Sequence, residues 1–336
     1  MVTSPDPRAG TGSDIDASAP PVCLLDASIY IFRYYFSLPD NWFSEDDYPT
    51  AAVYGYTAFL LNFLRQQRPQ KMAACFDESL GSCFRNTLYP DYKCSRALPD
   101  DALAFQLQAC QEITGILGIA CFASETYEAD DLLGTLMMNL HSQGEEQGIA
   151  VLTRDKDLGQ LLLRPQDCLW DYVNEHQQAR SFRDDIHRKF GVWPEQMADY
   201  LALVGDSSDD IPGVPGIGQK TAQALLQWQP SIERIFAGLI DLPGLPIRGA
   251  RSLPDKLALH SEQMVLSRCL ADIVTDIDLV AEGYADVTLG LDISAVERER
   301  FASFCQKMGF GQGLMQRFDQ MQLAYGADAK QEQELV

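Results

Sequence analysis

Short apolar runs recur through the first half of the chain, each ending at or near an acidic residue, and the stretches between them switch to a helical period. Val22 to Leu25 leads into Asp26 and then into the helix-like DASIYIFRYYF. Met72 to Phe76 leads into Asp77 after a helical stretch from Ala51 to Arg65. Ile119 to Ala123 and Ile149 to Thr153 repeat the theme, the last opening TRDKD. Runs of this length without polar alternation suit strands covered on both faces. Alternating with helices, they predict an α/β protein with a mostly parallel central sheet flanked by helices. Ligands of such sheets gather at the carboxyl ends of the strands, where Asp26, Asp77 and Asp155 fall.

The helical period continues beyond the third run. Leu132, Leu133, Leu136 and Leu140 mark the packed face of a helix whose first turn carries Glu128, Asp130 and Asp131. The helix dipole favours acids there, which accounts for one or two of them but not three. Met197, Tyr200, Leu201 and Val204 recur at i, i+3, i+4 and i+7, so a helix ends at Gly205. Asp206 and Asp209 follow at once, spaced so that one turn aims both at a common point. Gly213, Gly216 and Gly218 then allow a tight backbone whose free N–H groups lead into a helix at Gln219, with Ala222, Leu225 and Leu226 inward; such a turn binds phosphate.

These acids form one set: Asp26, Asp77, Glu128, Asp130, Asp131, Asp155, Asp157, Asp206 and Asp209. Two carboxylates about 4 Å apart repel by about 1 to 4 kcal/mol, and divalent cations would offset that cost. An all-oxygen donor set favours Mg²⁺ or Mn²⁺ over zinc, and the chain has only four histidines. Two such ions suit phosphodiester cleavage.

Composition complicates this. The 336 residues, 46% of them hydrophobic, can bury a substantial core, but the net charge is −22. Nucleic-acid binding normally shows as a basic surplus, so any contact with DNA must be local. The candidate basic islands are Arg85, Lys93 and Arg96; Arg180, Arg183, Arg188 and Lys189; Lys220; and Arg248, Arg251 and Lys256. Nine cysteines with no CxxC pair read as reduced thiols. The Ser/Pro/Gly-rich residues 1–20 read as a disordered tail. No signal-like or membrane-spanning run occurs, so a cytoplasmic protein without membrane contact is expected.

The segments LLDASIYIFR, FDESLGSCFRNTLYPDYKCSR, YEADDLLGTL, TRDKDLGQLL and VGDSSDDIPGVPGIGQKTA, in that order, resemble the 5' nuclease superfamily of flap endonucleases and of the 5'-3' exonuclease domain of bacterial DNA polymerase I. The resemblance runs on through RGARSLPDKL to about Phe318. It implies a PIN-like catalytic domain over 21–190 with a helical arch at about 78–110. A helix-three-turn-helix (helix-hairpin-helix) subdomain would span 191–320, and an acidic tail 321–336.

It further implies that Asp26, Asp77, Glu128 and Asp130 hold one Mg²⁺ or Mn²⁺ and that Asp155, Asp157 and Asp206 hold another. Asp130 would be able to bridge the two, and Asp131 and Asp209 would sit in or behind the ligand layer. Lys93, Arg96 and Asp130 are the implied catalytic residues. Arg33, Arg85, Tyr92, Lys93 and Arg96 match substrate-facing positions, with Tyr92 stacking on a base and Lys93 neutralising the scissile phosphate. Gly213, Gly216, Gly218 and Lys220 would grip the DNA backbone, with K⁺ a further candidate ion in that turn. The implied partner is DNA with a 5' single-stranded end or flap, and the implied protein a stand-alone monomer with no fused polymerase domain.

Arg154 stands where polymerase I type sequences usually have glycine, and Asp210 where they commonly have asparagine. Two rivals to the metal-dependent 5' nuclease reading remain at this point. A PIN-type ribonuclease would share the acids but ordinarily lack the glycine turn, and a catalytically silent junction-binding protein would keep the turn but bind no metal.

Overall fold

A computed structural model of the chain describes residues 21–79, 81–247, 249–284 and 291–334; the expected tail at 1–20, Arg248 and the last two residues lie outside the described residues. Six strands, β1 (Val22–Asp26), β2 (Met72–Asp77), β3 (Ala120–Ser124), β4 (Ile149–Leu152), β5 (Cys168–Asn174) and β6 (Gln177–Phe182), form one sheet in the order β3-β2-β1-β4-β5-β6. All neighbours are parallel except β5 and β6, which form an antiparallel hairpin. The first four strands are the predicted apolar runs. The hairpin was not predicted: β6 is a largely exposed edge strand of mostly polar residues, QQARSF, with no apolar period to betray it.

Helices α1 (Ala27–Ser37), α2 (Ala51–Gln67), α3 (Phe84–Leu88), α4 (Asp101–Ile116), α5 (Ala129–Ser142) and α6 (Arg183–Phe190) fill the connections. A helical region follows: α7 (Met197–Val204), α8 (Gln219–Trp228), α9 (Ile232–Ala237), α10 (Leu253–Leu259), α11 (Ser261–Ala271), α12 (Arg298–Lys307) and α13 (Gln312–Glu334). Gly205 ends α7 at φ 79°, a left-handed conformation that only glycine adopts without cost.

Successive strand residues point to opposite faces, and each face has its own apolar cluster. Leu24, Ala73 and Val151 pack with α5 and with α7, α8, α10 and α11, so the helical region shares a continuous core with one face of the sheet. Leu25, Ala74 and Leu152 pack with α1, α2 and α4 on the other. The chain returns to that second face at its end, where Phe301, Phe304, Met308, Phe318 and Met321 are all buried. Residues 321–334, expected as an acidic tail, continue α13, and Tyr325 donates to the carbonyl of Pro69.

The strand order reverses between β1 and β4. A crevice opens outside the carboxyl ends of strands at such a point, and the acidic residues collect there.

Candidate active site

Asp26 is the last residue of β1 and caps α1, accepting from the Ile29 N–H at 3.4 Å. Its other oxygen accepts from the Thr153 hydroxyl at 2.8 Å, just past β4. The same hydroxyl accepts from the Asp155 N–H at 2.9 Å, and Asp155 in turn accepts from the Asp157 N–H at 2.8 Å. Asp77 ends β2, and its carboxylate accepts from the Ala129 N–H at 2.8 Å, which sets the start of α5 and hence Glu128 and Asp130 beside it. Backbone donors thus fix acids from three strand ends and one helix start at a common crevice.

The electrostatics show how crowded the site is. Burial, then Asp77 and Asp155, push Asp26 up to about 7 against the pull of Thr153. Burial and then Asp155 push Asp157 up to about 8, with Asp206 and Asp209 adding to the shift. Asp130 lies well above the ordinary carboxylate range, through burial first and then Asp155 and Asp26. Asp77 is also raised, mainly by burial. Glu128 and Asp206 go the other way despite their burial: Lys93 and Arg85 hold Glu128 down, and the Ser208 hydroxyl and N–H, then Lys156, hold Asp206 down.

The expected substrate-facing residues do not all face outward. Arg85 is 3% exposed; its guanidinium is bidentate on Asp131 at 2.6 and 2.7 Å, reaches Glu128 at 3.1 Å and donates to the carbonyls of Leu270 and Asp272. Asp131 is fully buried and has both oxygens occupied by Arg85, so in this arrangement it ties elements together and does not face an ion. Tyr92 is 3% exposed and donates to Glu128 at 2.8 Å, which leaves no ring face for a base. The inward turn of Arg85 and Tyr92 has one cause: a buried carboxylate must be paired, and it draws in the nearest cation or hydroxyl.

Lys93 bonds Glu128 at 2.6 Å and lies 3.5 Å from Asp209, which also pairs with Arg96. Asp206 faces Ser208 and Lys156, at 3.4 Å. Asp206 and Asp209 thus take different cations, while both bear on Asp157. The loop between α7 and α8 is instead zipped to the segment after α3: the Lys93 N–H donates to Asp209 O and the Ser95 N–H to the Asp210 carboxylate. Asp210 has φ 55°, the left-handed region that Asn and Asp tolerate best among non-glycine residues, so the departure from asparagine here keeps the backbone geometry. Arg33 pairs with Asp171 at 3.1 Å and Arg154 pairs with the same carboxylate at 3.2 Å.

The glycine turn is held from behind by α11, whose Gln263 and Ser267 donate to the carbonyls of Gly213 and Pro212. Gly213 could carry no side chain, because a Cβ would meet the Val204 carbonyl carbon at 2.3 Å. Gly216 has φ 76°, and the Lys256 ammonium lies 2.7 Å from where its Cβ would be. Lys220, at the start of α8, is exposed, and Gly218 has open space around it.

The donor set fits divalent cations in chemistry. Oxygen Oδ1 of Asp157 is buried without a hydrogen-bond partner, and burial, with neighbouring acids behind it, raises the proton affinity of Asp26 and Asp157. Among the described residues no three such side chains already close around a point, so the ligand geometry is not pre-formed.

Two family models match residues 21–289, the 5'-3' exonuclease N-terminal resolvase-like domain over residues 21–191 and the 5'-3' exonuclease C-terminal SAM fold over 192–289. A 5'-3' exonuclease of Buchnera aphidicola is 32% identical over 77% of this chain and 88% of its own length. The chain belongs to the 5'-3' exonuclease family. A DNA polymerase I of Pseudomonas aeruginosa is 40% identical over 79% of this chain, which spans only 28% of that relative. Among solved structures, bacteriophage T5 5'-exonuclease with divalent metal ions (zinc) bound covers 86% of this chain and 99% of its own at 18% identity and a TM-score of 0.60. The catalytic core of Rad2 in complex with DNA covers 91% and 92% at 13% identity and 0.58. These two share the fold of the exonuclease family member described here.

Several residues that shape this site carry no sequence signal of their own. Thr153, Ser208 and Lys156 orient Asp26, Asp155 and Asp206, and Asp171 holds two arginines. Each is an isolated polar residue whose partner comes from elsewhere in the fold or in its own loop, so no spacing rule points to it.

Proposed function

We propose that this member of the 5'-3' exonuclease family is a Mg²⁺- or Mn²⁺-dependent 5' nuclease that hydrolyses DNA phosphodiesters near the junction of a duplex and a 5' single strand. The observation that carries the reading is the crevice at the β1/β4 switch, where strand ends and the start of α5 gather Asp26, Asp77, Asp130 and Asp155, and where burial first, then neighbouring acids, raises the proton affinity of Asp26 and Asp130. Asp26, Asp77, Glu128 and Asp130 would hold one ion and Asp155, Asp157 and Asp206 a second, with Asp209 behind them. Ions bound there supply a water of lowered pKa and offset charge on the leaving oxygen.

The rest falls to side chains of the chain. Lys93 and Arg96, parked on Glu128 and Asp209, are one short movement from a phosphate brought over the crevice. The turn at Gly213, Gly216 and Gly218, with Lys220 beside it, offers backbone N–H groups to a duplex arm, and its carbonyls are the groups K⁺ would take. The catalytic unit would span 21–190 and the DNA-gripping unit 191–320, working as a cytoplasmic monomer.

End-labelled flap, nicked and blunt duplexes, incubated side by side with Mg²⁺, test the reading and separate exonuclease from flap cleavage. Asp130→Asn should abolish cleavage and leave DNA binding largely intact. Wild-type turnover by that variant would remove the two-ion assignment, and absence of Mg²⁺ or Mn²⁺ binding in calorimetry would favour the silent junction binder.

A further inference from the structure

The cations closest to the crevice are consumed by its own acids: Lys93 by Glu128 and Asp209, Arg96 by Asp209, Lys156 by Asp206, and Arg85 by Asp131. One group differs. Arg33 of α1 and Arg154, which directly precedes Asp155, share the single carboxylate of Asp171 on β5, at 3.1 and 3.2 Å. Two guanidiniums on one carboxylate leave a positive charge uncompensated at the rim of the crevice. Arg33 is the fixed partner, 17% exposed, with a second bond to the Tyr172 carbonyl and a cation–π contact to Tyr30. Arg154 is the free one, with 60% of its side chain exposed and, among the described residues, no hydrogen bond or ion pair other than the one to Asp171.

We infer that Arg154 is a DNA phosphate-binding residue of this chain and that Asp171 holds it in place and sets its strength. An exposed ion pair is weak, so a phosphate oxygen can displace Asp171 from Arg154 at little cost, and arginine's planar fork suits it. The backbone places Arg154 between Thr153, which holds Asp26, and Asp155, so a phosphate it grips is held at the edge of the loop that carries those acids. In a protein of net charge −22 this local charge offsets the repulsion a DNA strand meets at that rim.

The inference rests on the nuclease reading, and its test separates the two. The dissociation constant of a 5'-flap DNA is measured in EDTA across salt concentrations, with Mg²⁺-dependent cleavage by the wild type as the independent check on the reading. Each phosphate contact contributes about 0.7 to 0.9 to the slope of log affinity against log salt, so Arg154→Gly should lower the slope by about that amount and Arg154→Lys should restore it. Asp171→Asn should tighten binding, and the gain should shrink when Arg154 is also glycine. Equal losses with 5'-phosphate and 5'-hydroxyl ends assign the contact to an internal diester; a loss confined to 5'-phosphate ends assigns it to the terminal phosphate. An unchanged slope in Arg154→Gly, or an Asp171→Asn gain independent of Arg154, overturns the inference while wild-type cleavage leaves the nuclease reading standing. Failure of the wild type to cleave in Mg²⁺ overturns that reading, whatever the slopes show.

Discussion

Without the Arg85 guanidinium, Asp131 would stay fully buried with no cation, and Glu128 would lose one of its two. Breaking a buried pair on one side costs about 3 to 5 kcal/mol, so Arg85→Met should lower the unfolding free energy read from denaturant melts by an amount of that order. As Arg85 is not a surface contact, the salt slope of DNA binding by the folded variant should match the wild type. A slope lower by about one unit would instead return Arg85 to the substrate side. The sequence showed an arginine in a polar stretch rich in substrate-like residues. It could not show that the matching acid opens α5, or that the end of α11 would present two carbonyls to the same group, because those partners meet only in the folded chain. The acids themselves were legible, since each sits at or just past a strand end, at a helix start or, for Asp206 and Asp209, just past a helix end that the apolar period locates.

The first four strands and helices such as α2 and α7 were read from their apolar periods with boundaries nearly right, but not every element with such a period was read. Beyond β5 and β6, the clearest case is the C-terminal pair α12 and α13. The family models stop at residue 289, yet Phe301, Phe304, Phe318 and Met321 fill the sheet face against α2. Burying a side chain of that size contributes about 1.5 to 3 kcal/mol each, so a chain ended at residue 290 should lose cooperative thermal unfolding and bind a hydrophobic dye. A sharp transition like that of the full chain would show α12 and α13 to be dispensable. The glycine turn behaves differently, because its glycines and the resemblance of GVPGIGQKTA marked a tight turn before α8. Gly216→Ala places a side chain at φ 76°, a strain of about 1 to 2 kcal/mol, while the Lys256 ammonium it meets can swing away. Binding to a duplex arm should weaken by a similar amount whatever the base sequence, as read in titrations with two unrelated duplexes; a base-dependent loss would argue against a backbone-only grip.

At the scale of the whole molecule, the acidic crevice makes stability depend on pH in an unusual direction. Asp26 and Asp157 are pushed up to about 7 and about 8, above the ordinary aspartate value of 3.8, so between that value and these the folded chain binds more protons than the unfolded one. Stability from these groups is therefore greatest at low pH and is lost as pH rises through 7 and 8. His141 is held below its ordinary value by burial and would oppose the trend as pH falls through 6.5, so the clean window lies above that. In EDTA, lowering pH from about 8.5 to 7 should stabilise the protein by about 1 to 2 kcal/mol and raise the thermal midpoint by a few degrees. With Mg²⁺ in excess, ions on the same carboxylates would keep them ionised in the folded state and compete with protons, so the midpoint should rise at every pH and its slope with pH should flatten or reverse. Thermal scans in EDTA and in Mg²⁺ at four pH values decide the matter. A midpoint in EDTA that climbs with pH over this window would mean that the crevice acids are already compensated within the protein, and it would remove the electrostatic reason for placing ions there.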